Sequence, residues 1–528
     1  MLKPYRIFFL LSLILILISL PSFFFPEGGI KFCNISLHYP SINQIFEIDT
    51  SKNQSQPNLK PEIAFLDRIV DSTLKNNSIP NQSTNFIKGN DSTSIQDSSK
   101  IVDTIPNRTL NTDYLRSKIN KLEFSDSTNY PLSAFFEVLR TGECNRKLIH
   151  VLHYGDSQIE GDRITSYLRS RLQCKFGGGG IGLVHAIPQS CQPATIIQTN
   201  SSNWEKTTLA DHDKTLAGIN RFGALVGYSL YTPNRNLFSK STDEAWVLFQ
   251  RTGGIGSAHN FQKLRLFYGF NSKPFMIELN SNEKTIDAEI IPSTNKLSSL
   301  TLDLASGINA FEIKFKGENS PMIFGISLES EKGVGVDNIP IRGSSGTNFT
   351  KTDMVFMKEM LQMLNTKLII LQFGVNVVPN IVESYKYYEV QLYNQIKAIQ
   401  AAKPDASIIM IGVSDVSRKE GLRFVSYPNV EKIRDAQKNA SFKAGIPFWD
   451  CYEAMGGKNS MVAWENSNPP LATKDFIHFT YRGANLIAEM FYAALMLEYD
   501  NYILKVSKQK TNQLVSREDS LKLSSKMN

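Results

Sequence analysis

Cysteine is scarce in this chain of 528 residues. The five present (Cys33, Cys144, Cys174, Cys191 and Cys451) are too few and too scattered for a disulfide scaffold. Buried free thiols are the leading reading; an extracytoplasmic site also permits one bridge, for which Cys174 and Cys191 are the candidate pair. Metal-ligand spacing is missing among the Cys and His residues, so no metal is expected. Basic clusters interleaved with aromatics are also missing. The net charge of +7 is modest for this length. Part of it sits near the C-terminus in Lys505, Lys508, Lys510, Lys522 and Lys526, which reads as a solvated or membrane-proximal tail. Nucleic acid is thereby excluded as a partner. The glycine run Phe176-Gly177-Gly178-Gly179-Gly180-Ile181-Gly182 lacks the Lys-Ser or Lys-Thr of a phosphate cradle, and it opens no dinucleotide pattern. No nucleotide and no cofactor are expected; a flexible or closely packed loop fits that run better.

The N-terminus has what the rest lacks, a long apolar stretch. Lys3 and Arg6 precede a nearly unbroken run from Ile7 to Phe25, long enough to span a bilayer with its basic flank in the cytoplasm. No small-x-small cleavage site follows; Pro21, Phe23 to Phe25 and Pro26 occupy that place. An uncleaved signal anchor is expected over residues 1–25, with a removed signal peptide and a secreted protein as the alternative; either way the remainder lies outside the cytoplasm. Residues 26–129 are rich in Ser, Asn, Thr, Asp and Lys and have few apolar clusters. Such a segment cannot offset its ordering entropy by burial and reads as a mostly disordered tether. Short helices are expected within it near Ile63 to Leu74 and Tyr114 to Leu122.

The chemistry begins at His153-Tyr154-Gly155-Asp156-Ser157-Gln158. This run follows the apolar stretch Leu148 to Leu152, which reads as a buried strand. It precedes Ile159, Arg163, Ile164, Tyr167 and Leu168, which stand at helical spacing. A serine on a tight turn between strand and helix is exposed at the carboxyl edge of a sheet, near a helix N-terminus. Ser157 can be a nucleophile there, or an ordinary N-cap. A hydroxyl needs a base, and an imidazole needs a carboxylate to fix its tautomer. Lys474-Asp475-Phe476-Ile477-His478 supplies both within one turn of chain. Between the two ends, Arg342-Gly343-Ser344 and Phe373-Gly374-Val375-Asn376 follow apolar runs. The Gly343 N–H and the Asn376 amide could join the Ser157 N–H as an oxyanion hole.

The rhythm of the chain predicts an α/β fold, a three-layer α/β/α sandwich, interrupted by a β-rich insertion. A first catalytic part spans 130–194. From 195 to 329 the sequence reads as strand after strand: Phe311, Ile313 and Phe315 alternate with Glu312, Lys314 and Lys316, and Leu264, Leu266 and Tyr268 repeat the period. An inserted β-sandwich of the jelly-roll kind is expected, with Trp204 and Trp246 as core or glycan-stacking residues. The second catalytic part spans 330–504, with helices near Lys351 to Leu364, Ser384 to Ala401 and Val430 to Lys443. Strands are expected at Leu368 to Phe373, Ser407 to Val413 and Ile446 to Asp450. An apolar helix near Gly483 to Leu497 and a polar basic tail over 505–528 close the chain.

These blocks resemble the SGNH, or GDSL, hydrolase family. Its four blocks match Gly155-Asp156-Ser157, Gly343, Gly374-Val375-Asn376 and Asp475-Phe476-Ile477-His478. The resemblance covers about Leu148 to Ser190 and Val334 to Leu497. Gly346 and Gly335 are neighbours that could replace Gly343. The family often has Asp after the third-block Asn, where this chain has Val377. The β insertion and the glycine-rich loop are similar to those of the peptidoglycan O-acetylesterase subgroup. The resemblance implies Ser157 as nucleophile, His478 as base, Asp475 as its orienting group, and Ser157, Gly343 and Asn376 as the oxyanion hole. It implies a flavodoxin-like SGNH sandwich and an esterase acting on an acetylated glycan of the cell envelope. Acetyl transfer to a sugar hydroxyl uses the same machinery. A glycan-binding protein with a vestigial serine site is the other class.

Overall fold

The computed structural model describes residues 30–32, 35–37, 58–77, 120–125, 130–193, 195–209, 220–231, 244–253, 256–305 and 307–526. The apolar run Ile7 to Phe25, Cys33 and most of the expected tether lie outside these residues. Two units are present. In the first, Ile30–Phe32 pairs antiparallel with Ile35–Leu37. The second begins at Leu59 and holds everything described below.

Its frame is a five-stranded parallel sheet. The strands are β1 (Leu148–Gly155), β2 (Gly333–Pro340), β3 (Thr366–Gln372), β4 (Ser407–Ile411) and β5 (Phe448–Trp449), in the order β2-β1-β3-β4-β5. The period-2 side-chain alternation feeds two separate cores. Leu152, Tyr154, Ile369 and Leu371 face helices Met354–Met363, Lys386–Ala402 and Val430–Ala444. Ile149, Val151, Leu368 and Ile370 face helices Ser133–Arg140, Thr165–Phe176 and the start of Tyr481–Lys526. Burial on both faces is why these strands read as continuous apolar runs. The helices have local signals: Asp353 caps one by accepting from the N–H groups of Val355 and Phe356 at 3.0 and 3.1 Å, and Gly445, with φ +73°, ends another. The reversal of strand order at β1 puts a crevice at the carboxyl edge beside it.

The described residues between Ile196 and Glu329 form ten antiparallel strands in two sheets of five, and the preceding short strand Gly182–Val184 pairs with Met322–Glu329 to make the second sheet six-stranded. Phe311, Ile313 and Phe315 point inward and share a core with Leu264, Leu266, Ile326 and Leu328 of the other sheet. Trp204 belongs to this core, edge-on to Tyr231 and Phe315; Trp246 is half-buried. The six-stranded sheet is buried on its far side as well, where Phe324 meets Phe356 of the parallel-sheet region at 4.7 Å between ring centroids. The glycine run is closely packed between the sheets. A Cβ at Gly179 would lie 1.9 Å from the Asn260 carbonyl oxygen, and one at Gly180 would lie 2.1 Å from that of Leu328. Close backbone approach explains these glycines.

Several expectations are corrected. The helix expected near Ile63 to Leu74 is present as Pro61–Asn77, but it packs and does not belong to a free tether: it buries Ile63 and Val70, and Arg482 holds Asp67 through two bonds of 2.8 and 2.9 Å. Of the helix expected near Tyr114 to Leu122, residues 114–119 lie outside the described residues and 120–122 are not helical; Glu123 exchanges backbone hydrogen bonds with Phe448 at 2.8 and 2.9 Å, extending the sheet edge. Ile63, Leu66 and Val70 form an apolar stripe that the polar average of the segment conceals. Cys174 and Cys191 are free and exposed, with no bridge between them. The C-terminal helix continues from Tyr481 to Lys526 and does not give way to a separate tail at 505. Among the described residues no helix is long and apolar enough to cross a membrane.

Candidate active site

β1 ends at Gly155, and glycine is required there. A Cβ would fall 2.9 Å from the Gln372 carbonyl oxygen of β3. Asp156 then turns the chain: its Oδ1 accepts the Gln158 N–H at 3.0 Å, and its Oδ2 accepts the Val375 N–H at 3.3 Å. One buried carboxyl thus ties the turn after β1 to the turn after β3. Burial pushes its pKa up to about 7, against the backbone N–H groups that favour the charge. Ser157 opens a short 3-10 turn, Ser157–Asp162. The expected long helix does not begin there. Glu160 is extended and Gly161 has φ +69°, so the α-helix starts only at Thr165. The Ser157 N–H still lacks an acceptor within its own turn, as first-turn donors do.

Ser157 Oγ and His478 Nε2 are 2.8 Å apart. His478 Nδ1 is 2.7 Å from Asp475 Oδ2. The other Asp475 oxygen accepts from the Thr473 hydroxyl at 2.6 Å and from the N–H groups of Ile477 and His478 at 2.9 and 3.0 Å. Burial works to raise the Asp475 pKa, but these bonds outweigh it and hold the carboxyl at about 2. A charged carboxylate on Nδ1 places the imidazole proton there and leaves Nε2 free to accept from the serine.

Two further residues brace this relay. Gln158 Nε2 donates to the Ile477 carbonyl at 2.7 Å and to Ser414 Oγ at 3.0 Å. Arg163 donates to the Ser157 carbonyl at 2.6 Å and to the Phe479 carbonyl at 3.3 Å. The nucleophile turn and the histidine loop, some 320 residues apart, are therefore fastened by side chains on the nucleophile's own segment. The sequence offered one faint signal, their position within six residues of Ser157.

Gly343 lies on the loop after β2. It is exposed, has φ +78°, and a Cβ there would meet nothing within 4 Å, so glycine is favoured by its backbone alone. Its N–H has no partner among the described residues. The Gly346 N–H is already taken by Ser344 Oγ at 3.0 Å, and Gly335 sits inside β2 opposite His150, away from the edge. Asn376 is exposed, and its Nδ2 donates to the Ser344 carbonyl at 3.0 Å, which joins the loops after β2 and β3. Gly374 makes that turn, with φ +133° and Val413 Cβ only 2.8 Å from where a Cβ would stand. Val377 is buried, and its N–H donates to the Gly374 carbonyl at 2.9 Å. A groove of about 200 Å³ runs from this edge to the antiparallel strands, lined by Glu160, His185, Lys206, Thr208, Val226 and Arg342. Among the described residues no group of three or more His, Cys, Asp or Glu side chains is placed to hold a metal ion.

No protein-family model matches the chain. No curated protein matches it. Solved structures do. A peptidoglycan O-acetylesterase aligns at 21% identity and a TM-score of 0.55, covering 72% of this chain and 99% of its own. A family two carbohydrate esterase from Clostridium thermocellum aligns at 10% identity over 49% of this chain and 94% of its own, with a TM-score of only 0.22. The strand order, the crevice at the switch point and the first of these likenesses agree: the chain has the fold of the SGNH, or GDSL, hydrolases.

Proposed function

We propose that the chain is an extracytoplasmic serine esterase that removes O-acetyl groups from a cell-envelope glycan such as peptidoglycan. The unbroken relay from Ser157 through His478 to Asp475 carries this reading. His478 Nε2 takes the serine proton as Oγ attacks the acetyl carbonyl. The N–H groups of Ser157 and Gly343 and the amide of Asn376 hold the oxyanion. The imidazolium, stabilised by Asp475, returns its proton to the leaving sugar oxygen, and an acetyl-Ser157 ester remains. Water, deprotonated by the same histidine, then releases acetate. An intact relay also speaks against a vestigial site in a glycan-binding protein.

The glycan substrate is supported by the likeness to the peptidoglycan O-acetylesterase and by the groove. We read residues 195–329 as an inserted β-sandwich that supplies one groove wall through Lys206 and Thr208. The run Ile7 to Phe25 is read as an uncleaved anchor in the inner membrane, with the enzyme on the periplasmic side. Two experiments test these assignments. Full-length protein in detergent, given p-nitrophenyl acetate with and without a sugar acceptor, should release acetate in both cases. Acetylated sugar accumulating at the expense of acetate would replace hydrolysis by transfer. Protease added outside spheroplasts should digest the catalytic region; full protection would contradict the location.

A further inference from the structure

Two aromatic rings meet over the loop that carries Asp475 and His478. Phe476 lies between them in sequence, and its φ of +57° is left-handed. A bulky residue seldom adopts that conformation, because its Cβ crowds the carbonyl oxygen. Here it folds the chain back so that one Asp475 oxygen accepts the N–H groups of Ile477 and His478 while the other meets the His478 ring. Strain of this kind persists only where the surroundings hold it.

The holding groups come from a separate element. After β4 the chain forms a hairpin, Ser417–Glu420 paired with Arg423–Ser426. Its base is fixed: Ser426 and Asn459 exchange hydrogen bonds of 2.9 and 2.6 Å. From this base the Ser417 N–H donates to the Phe476 carbonyl at 3.0 Å. The Phe424 ring lies flat on the Phe476 ring, with centroids 3.8 Å apart and planes inclined by 13°. Phe424 remains 37% exposed while Phe476 is buried. A half-open phenylalanine at a hairpin edge contributes little to a core, and among the described residues its close ring contact is with the strained residue of the catalytic loop.

We infer that Phe424 is a positioning residue: by stacking on Phe476 it holds the left-handed turn that keeps Asp475 and His478 aligned with Ser157. Its kinetic test rests on the esterase reading above. A double-mutant cycle with the full-length protein decides it. Phe424→Ala should lower kcat about tenfold, the scale of one lost aromatic stack, and change KM less than about twofold. Phe424→Tyr keeps the ring and should restore kcat. In a Phe476→Gly background the turn forms unaided and there is no ring to stack on. There Phe424→Ala should change kcat by less than about twofold. The second readout is the downfield NMR resonance of the His478 Nδ1 proton shared with Asp475, which Phe424→Tyr should retain and Phe424→Ala should broaden or lose. An equal kcat loss in both backgrounds overturns the inference, as does a wild-type resonance and kcat in Phe424→Ala. Should the wild type hydrolyse no ester, the proposed function fails, and the resonance across the same variants still decides the role of Phe424.

Discussion

Replacing Asp475 by asparagine changes one oxygen to an NH2 and leaves the size of the side chain unaltered. Asp475 Oδ1 has three donors, the Thr473 hydroxyl and the N–H groups of Ile477 and His478. They fix where the asparagine oxygen must stand. Its NH2 then faces His478 Nδ1, which has to accept. The ring proton moves to Nε2, and Nε2 can no longer take the proton of Ser157. A histidine locked in the wrong tautomer costs about 10⁴ in turnover, or about 5.5 kcal/mol of transition-state stabilisation. Stability should fall only modestly, by about 1 kcal/mol, because the charge-assisted bonds are lost but the site is 46% exposed and the backbone donors keep an acceptor. The wild-type carboxyl, with a folded pKa depressed to about 2, stays ionised at every higher pH. Its contribution to stability is complete above about pH 4 and is lost as the pH falls through about 2. Acid loss of activity above about pH 4 therefore belongs to another group. The assay is kcat and KM on p-nitrophenyl acetate beside thermal melting of both proteins. A folded Asp475→Asn enzyme within tenfold of wild-type kcat refutes the tautomer argument.

Ser157→Ala should abolish ester hydrolysis with the melting temperature unchanged; near-wild-type turnover in the folded variant would remove Ser157 from the mechanism. Asn376→Ala should lower kcat by about 10²–10³ and alter KM far less, since one oxyanion donor is lost; the reverse pattern would make Asn376 a binding residue only. Asp156 bears on stability. Burial raises its folded pKa to about 7, so the folded protein keeps a proton that the unfolded chain loses near pH 4. That contribution is complete below about pH 4 and is lost as the pH rises through about 7, by up to about 4 kcal/mol. Asp156→Asn should flatten the pH dependence of stability in this window, and urea titrations at about pH 5 and pH 8 that differ equally in both proteins would contradict it.

Ser157, His478 and Asp475, which meet in the structure, were legible because each follows a recognisable local pattern: a tight turn after a buried strand, and a carboxylate three residues before a histidine. The parallel sheet was legible because strands covered on both faces are continuous apolar runs. What braces the site was not. Gln158 and Arg163 act on carbonyls some 316 to 319 residues away, and Phe424 acts through a ring that only the fold brings near. Long-range pairing leaves no periodic trace. The start of the helix after Ser157 was misplaced for a local reason: Glu160 and Gly161 break a pattern whose apolar spacing continues through them. Helix Pro61–Asn77 was only partly anticipated, because its three-residue stripe sits in a segment whose composition is polar.

The central claim is that Ser157 becomes acetylated and then hydrolysed during removal of acetyl groups from a glycan. Mass spectrometry of the peptide containing Ser157, after rapid acid quench of the full-length protein turning over O-acetylated peptidoglycan, tests it directly, with released acetate measured in the same samples. The account requires an acetyl group on Ser157 in the wild type, and neither that modification nor acetate release in Ser157→Ala. Steady acetate release by Ser157→Ala, or turnover with the acetyl group carried by another residue, contradicts it.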